Sequence, residues 1–424
     1  PLYRAYMPGL TERVVAASRN RDRVLDAIKA LALLVVIAGH SLAWHIPPDG
    51  TPVNVLEQAH YLVPLTWIFQ VLPLFFAAGA VSNAASLTRH GRAQYLQSRG
   101  SRLLAPVVVY ATFWTVILYP LHAVGVGRFL AQLLWFAGVY LLVAAAAVVT
   151  VRWTSRPGLT LGVWLLLIMA IDLLRFTDLA GFAWLNMLLV WGWLHQVGYY
   201  LPTLRDRRTA IPAGLALIAI AVLVAISGPF SVSLISVNGI PGFSNLAPPS
   251  VVLALFGSGQ ILLVAGLWPR LQRWFSNDSI WTVVAVIGAR GMGMYLWHIP
   301  LVGVAAGSAM LLGFAAPALS LTWWAVHLMV VALVIPLAWL LAGVASTPER
   351  WLTRLPGLAR AGLGCALGGF AVLNTAATGF GTWWGEGAAG LPSSAALNLV
   401  LMMLAYALVR PRPARSTTAE PPPG

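Results

Sequence analysis

Long apolar runs alternate along this chain with short loops in which arginine collects. Runs long enough to span a hydrocarbon core of ~30 Å begin near Val24, Tyr61, Leu103, Phe129, Leu159, Ala180, Ile211, Val251, Gly291 and Leu321. Two more follow the basic stretch TPERWLTRLPGLAR, from Ala361 to Phe380 and from Ala395 to Val409. The pattern predicts an all-α polytopic transmembrane helix bundle, with ten helices in a core and two C-terminal transmembrane helices after it. The expected divisions are a basic N-terminal segment at 1–23, a ten-helix core at 24–350, two added spans at 351–410 and a Pro-rich, disordered tail at 411–424.

Arginine placement tests the count, because positive charge gathers in cytoplasmic loops. Arg4, Arg13, Arg19, Arg21 and Arg23 precede the first run; Arg89, Arg92, Arg99 and Arg102 lie between the second and third; Arg152 and Arg156 follow the fourth. Arg205, Arg207 and Arg208, then Arg270 and Arg273, then Arg350, Arg354 and Arg360, then Arg410, Arg412 and Arg415 keep the same side. The other loops carry almost none, Arg128 and Arg175 excepted. The expectation is a multi-pass protein of the cell (inner) membrane with both termini cytoplasmic. RNRDR before an apolar run ending in SLA resembles a signal peptide, but the preceding segment is long and the cleavage match poor.

Composition agrees. Of 424 residues, 59% are hydrophobic and 9% charged, against roughly a quarter charged in soluble domains. The net charge of +14 is scattered over loops, which argues for orientation and against nucleic acid as partner. Cys365 is the one cysteine, so no intramolecular disulfide forms.

Against that background the first run, LDAIKALALLVVIAGHSLAW, carries Asp26, Lys29 and His40, each expensive at membrane depth. Eleven residues are about three helical turns, so Lys29 and His40 share a face and stand about 16 Å apart. Asp26, one turn before Lys29, is placed to neutralise it. Such a column suits a buried reaction path; a snorkelling lysine and a structural histidine are the alternative. His195 reads as an interhelical hydrogen bond, His45, His60, His122 and His327 as interfacial groups, Asp172 and Arg175 as a pair, and Glu349 as a helix-end tether. No His/Cys/Asp/Glu cluster has metal-ligand spacing, and there is no P-loop or G-x-S-x-G elbow.

The stretch LDAIKALALLVVIAGH resembles the opening signature of the acyltransferase-3 family, integral-membrane O-acyltransferases of the O-antigen and exopolysaccharide acetylase kind. Further matches follow in the family's order. LPLFFAAGA, Leu72 to Ala80, resembles its Phe-rich second-helix motif, with Ala78 in place of a serine. SRGSRLLAP holds Arg99 and Arg102 in its R-x-x-R arrangement, LWFAGVYLL resembles its Trp-Phe motif, and GMGMYLWHIP its late Tyr-Leu-x-His motif. TPERW stands where the family often has a Glu beside a Pro. The resemblance covers about Arg21 to Arg354. Two departures stand out: Lys29 occupies the family's arginine position, losing the bidentate fork, and the last two spans lie outside the usual ten-helix core.

The resemblance implies that His40 is the catalytic histidine, taking the proton of an acceptor hydroxyl as it attacks a thioester. It implies acyl-CoA, most simply acetyl-CoA, as co-substrate with no bound cofactor, and a hydroxyl-bearing glycan, glycolipid or small molecule as acceptor. Arg99 and Arg102 would take the donor phosphates, with Lys29 as a point charge nearer the thioester. Asp26, Tyr295 and His298 are expected in support or in positioning the acceptor, and membrane lipid is the remaining partner. The competing readings are a twelve-span secondary transporter and a flippase of envelope precursors. A major-facilitator transporter should show related halves and a D-R-x-G-R-R-like second loop. Here that loop reads SLTRHGRAQYLQSRGSR and the halves do not match, which favours the enzyme.

Overall fold

The computed structural model describes residues 9–18, 21–47, 53–314, 316–354 and 357–411. Arg4, Arg19, Arg412, Arg415 and the tail from 412 onward lie outside them. The protein is an all-α, multi-pass membrane protein. Its principal helices are α1 (Leu10–Ala17), α2 (Arg23–Leu42), α3 (Leu72–Leu118), α4 (Leu134–Thr150), α5 (Pro157–Leu173), α6 (Asn186–Gly198) and α7 (Ala210–Ser227). There follow α8 (Val251–Gly266), α9 (Asp278–Ala289), α10 (Gly291–Leu311), α11 (Leu321–Leu352), α12 (Ala361–Thr378) and α13 (Ala395–Val409). Two short antiparallel ribbons join them: β1 (Trp44–His45) with β2 (Val53–Asn54), and β3 (Gly385–Glu386) with β4 (Pro392–Ser393).

Among the described residues, eight helical stretches are long and apolar enough to cross a membrane, or nine if the bent pair Val251–Gly266 and Trp268–Phe275 is one span. Each expected run is helical. One of the eight stretches, Leu65–Leu118, takes in two of them, with the helix broken at Gly91 (φ 71°), a left-handed value that glycine adopts without a Cβ penalty. The run expected from Ala180 begins as a 3₁₀ segment, so α6 keeps 13 residues, about 20 Å of rise. Helix α9 was not expected; at 12 residues it is too short to register as a span.

Polar caps start some of the helices. Asp22 accepts from the amides of Val24 and Leu25 to open α2, Asn277 from Ser279 and Ile280 to open α9, and Ser394 from Leu397 to open α13, satisfying amides that a helix leaves unpaired.

The chain divides into two compact units. Unit 1 holds residues 1–89 and 146–346; unit 2 holds 90–145 and 347–424. In unit 1, α1 docks on α9 through a Trp281 Nε1 donation to Ser18 Oγ at 2.8 Å. Ion pairs bind the arginine-rich end together: Arg21 to Asp26 at 2.7 Å, Arg23 to Asp278 at 2.8 Å, and Arg205 to Asp22 at 2.9 Å.

The opposite end of unit 1 is held by a buried knot. Arg175 and Asp172 pair at 2.9 Å, and the guanidinium also donates to the carbonyls of Ser244, Pro248 and Pro249. Asp172 accepts from Asn186 Nδ2 at 3.0 Å and from the Val251 amide at 2.8 Å. The sequence suggested a simple pair; in fact these two side chains clamp the 228–250 loop to α5, α6 and α8. Gln70 and Thr66 tie the same loop through Leu234.

In unit 2, α12 and α13 lie against one another and against the second half of α3 along glycine seams. A Cβ on Gly364 would stand 2.6 Å from Val409 Cγ2 and 2.7 Å from the Ala405 carbonyl, and one on Gly100 2.7 Å from Val409 Cγ1 and 2.9 Å from Cys365 Sγ. Buried Asn398 donates to Thr378 Oγ1 and accepts from Ser393 Oγ. Gly364→Val should therefore destabilise unit 2 by about 1–3 kcal/mol through overpacking, while Gly362→Val, at a position with 4.0 Å of clearance to Leu96, should be far milder. Thermal unfolding of the two variants in one detergent checks this.

Candidate active site

Helices α2 and α10 run parallel in matched register. A Cβ on Gly291 would face Leu33 Cδ2 at 3.7 Å, and seven residues further along both helices His298 faces His40. His40 Nδ1 and His298 Nε2 are 3.1 Å apart, with ring centroids at 5.3 Å. His298 is fully buried and His40 half-buried.

The hydrogen bonds order the protons. His298 Nδ1 lies 2.7 Å from the Tyr295 carbonyl and 3.3 Å from that of Met294. A carbonyl only accepts, so His298 Nδ1 carries the hydrogen and its Nε2 presents a lone pair. His40 Nδ1 must then donate to that lone pair. The Val36 carbonyl, one turn back, is a further acceptor for His40. His40 Nε2 is left with an unshared pair and a fixed ring, the state a general base requires. Tyr295 serves this arrangement through its main chain: its carbonyl orients His298.

Lys29, on the His40 face of α2, donates to Ser82 Oγ at 2.6 Å, and Ser82 in turn donates to the Ala78 carbonyl. Asp26 stands 4.0 Å from the Lys29 ammonium, but its nearer partner is Arg21. The i, i+3 pair expected from sequence is thus shared with a third group outside the helix. Ser82 is the site neighbour that sequence reasoning missed. Within SNAAS nothing distinguishes it from other small polar residues; only packing of α3 on α2 gives it a partner.

Arg99 and Arg102 belong to unit 2 and flank Gly100 on α3, Arg99 half-buried and Arg102 exposed. His195 is buried and accepts from Asn83 Nδ2 at 3.0 Å, the interhelical bond expected of it. Beyond the end of α2, His327 is sandwiched by Trp323 (3.9 Å) and Trp44 (4.2 Å), and burial holds His45 below the ordinary imidazole value. Arg290, where α9 breaks into α10, stacks on Trp339 at 3.6 Å and donates to its carbonyl. No group of three His, Cys, Asp or Glu able to hold a metal occurs among the described residues.

A model of the acyltransferase domain, type 3, matches residues 22–343. No curated protein matches the chain, and no solved structure does. The family match covers well over half of the 424 residues and takes in the paired histidines, Lys29 and the R-x-x-R pair: the chain belongs to the acyltransferase-3 family of membrane acyltransferases.

Proposed function

We propose that the protein moves an acyl group, most simply acetyl, from acyl-CoA to a hydroxyl of a glycan, glycolipid or small natural product. The observation that carries the reading is the His40–His298 bond, which leaves His40 Nε2 as an oriented acceptor for a proton. In the reaction, His40 Nε2 takes the proton of the acceptor hydroxyl as its oxygen attacks the thioester carbonyl. The carbon–sulfur bond then breaks, the proton passes to the leaving thiolate, and an ester and free CoA result. Imidazole is suited to both halves of this transfer, since its ordinary pKa lies near neutrality.

On this reading Arg99 and Arg102 bind donor phosphates, and Lys29, held by Ser82, is a point charge on the donor side of His40. Asp26, paired more closely with Arg21, adds a weaker negative charge beside Lys29. The arginine distribution supports an orientation with both termini cytoplasmic, in which the donor comes from the cytoplasm.

The test is release of free CoA by protein reconstituted in lipid and given acetyl-CoA with candidate hydroxyl acceptors. Release that depends on acceptor supports the reading; no binding or turnover of acyl-CoA overturns it. Lys29→Met should lower kcat/KM for acetyl-CoA by about 10- to 100-fold, the worth of one charge-assisted hydrogen bond of about 1.5–3 kcal/mol, and Lys29→Arg should retain most of the activity. Equal losses for both variants would count against a charge role for Lys29.

A further inference from the structure

Among the described residues, some arginines are held by carboxylates and others are not. In unit 1, Arg21, Arg23, Arg175 and Arg205 each have a carboxylate within 4 Å. In unit 2, Arg99, Arg102, Arg360 and Arg410 make no ion pair among the described residues. Yet these four stem from backbone segments in direct contact. Gly100, between Arg99 and Arg102, packs on Val409, the residue before Arg410. The linker ahead of α12 runs along the end of α13, with Leu358 N donating to the Ala407 carbonyl at 2.9 Å, Ala359 N to Arg410 at 2.9 Å and Arg360 N to Leu408 at 2.8 Å.

Arg410 is partly immobilised: its guanidinium donates to the Thr353 carbonyl, and its Nε is buried without a partner among the described residues. Arg360 is exposed. The topology rule accounts for arginines scattered through loops on one side. It does not account for four of them on segments held together by helix seams and a backbone zipper, none with a carboxylate within 4 Å among the described residues. A polyanion supplies such guanidinium forks with charge-assisted partners.

We infer that Arg360 and Arg410, from the helix pair beyond the family domain, complete with Arg99 and Arg102 a binding site for the phosphates of the nucleotide-bearing acyl donor. This rests on the acyltransferase reading proposed above. The two added helices thereby acquire a role in donor binding. They carry half of the cationic site and, through Val409 and Cys365 against Gly100, fix the helix that carries the other half. A phosphate-bearing ligand has two sources here, the nucleotide of CoA and an anionic lipid headgroup. CoA is favoured, because its pyrophosphate and 3′-phosphate spread charge over a span that four guanidiniums, unlike one, can match.

The experiment titrates full-length protein in phosphatidylcholine nanodiscs with CoA and with 3′-dephospho-CoA, and repeats it with phosphatidylglycerol present. Arg360→Gln removes an exposed charge and leaves the fold intact. It should weaken CoA binding at least 10-fold and narrow the gap between CoA and its dephospho form, and Arg360→Lys should restore part of the loss. Arg156→Gln, an exposed arginine of unit 1, should change nothing. If wild type binds CoA and Arg360→Gln binds it equally well, or if Arg156→Gln weakens it as much, the inference fails while the donor reading stands. Loss confined to phosphatidylglycerol enrichment, with CoA affinity intact, assigns the site to lipid and also overturns it. If wild type binds no CoA at all, the acyltransferase reading itself fails.

Discussion

With His40 replaced by alanine, acyl transfer should fall by about 10³-fold, within the 10²–10⁴ range that a positioned general base contributes, while CoA binding stays near the wild-type value. On the proposed mechanism the base acts on the acceptor proton and not on the donor's phosphates, so the loss belongs in kcat. His298→Ala should also be slow, by about 10²-fold, for a different reason: His40 keeps its ring but loses the partner that holds the hydrogen on Nδ1. His298→Gln, whose side-chain carbonyl can accept from His40 Nδ1, should recover part of that rate. A His298→Gln enzyme no better than His298→Ala would mean that the second ring does more than orient the first. Acidification should depress the wild-type rate, because a proton on His40 Nε2 occupies the lone pair the reaction uses. A pH–rate profile of acetyl-CoA turnover, wild type beside His298→Gln, checks both statements.

The largest effect on stability should come from Arg175. Arg175→Met leaves Asp172 buried without its cation and strips three carbonyls of the 228–250 loop of their donor. Breaking a buried pair from one side costs about 3–5 kcal/mol. The double variant Asp172→Asn with Arg175→Met no longer buries a lone charge, and an asparagine oxygen can still accept from the Val251 amide. It should therefore recover a good part of the loss. Thermal midpoints in one detergent, with the loop's susceptibility to protease as a second readout, separate the cases. A double variant as unstable as the single would place the energy in the loop contacts and not in the charge.

Helix positions were legible because a bilayer demands one crude property, some twenty apolar residues in a row. The same demand explains the misses. Helix α9 is short and begins with Asp278, so a search for spans passes over it; its anchors, Arg23 and Ser18, lie more than 250 residues away in sequence. The Gly91 break is one residue's backbone torsion inside a polar loop. At the candidate site, the matching faces of Lys29 and His40 followed from helical periodicity, and the motif around His298 made it a candidate partner. The proton order did not follow, since it depends on the Tyr295 carbonyl lying 2.7 Å from one ring nitrogen. Arg360 and Arg410 looked like topology signals because sequence counts charges per loop. Which loops touch is decided by packing.

Unit 2 is assembled from two stretches of chain, 90–145 and 347–424, and this has a consequence for biosynthesis. A ribosome adding roughly 5–20 residues per second needs tens of seconds to make the roughly 200 residues between them. Through that interval the R-x-x-R helix stands in the bilayer with its glycine seam uncovered, waiting for partners that are not yet translated. The nascent protein thus depends on whatever shields small-residue helix faces during insertion, and unit 2 is the last part of the protein to be completed.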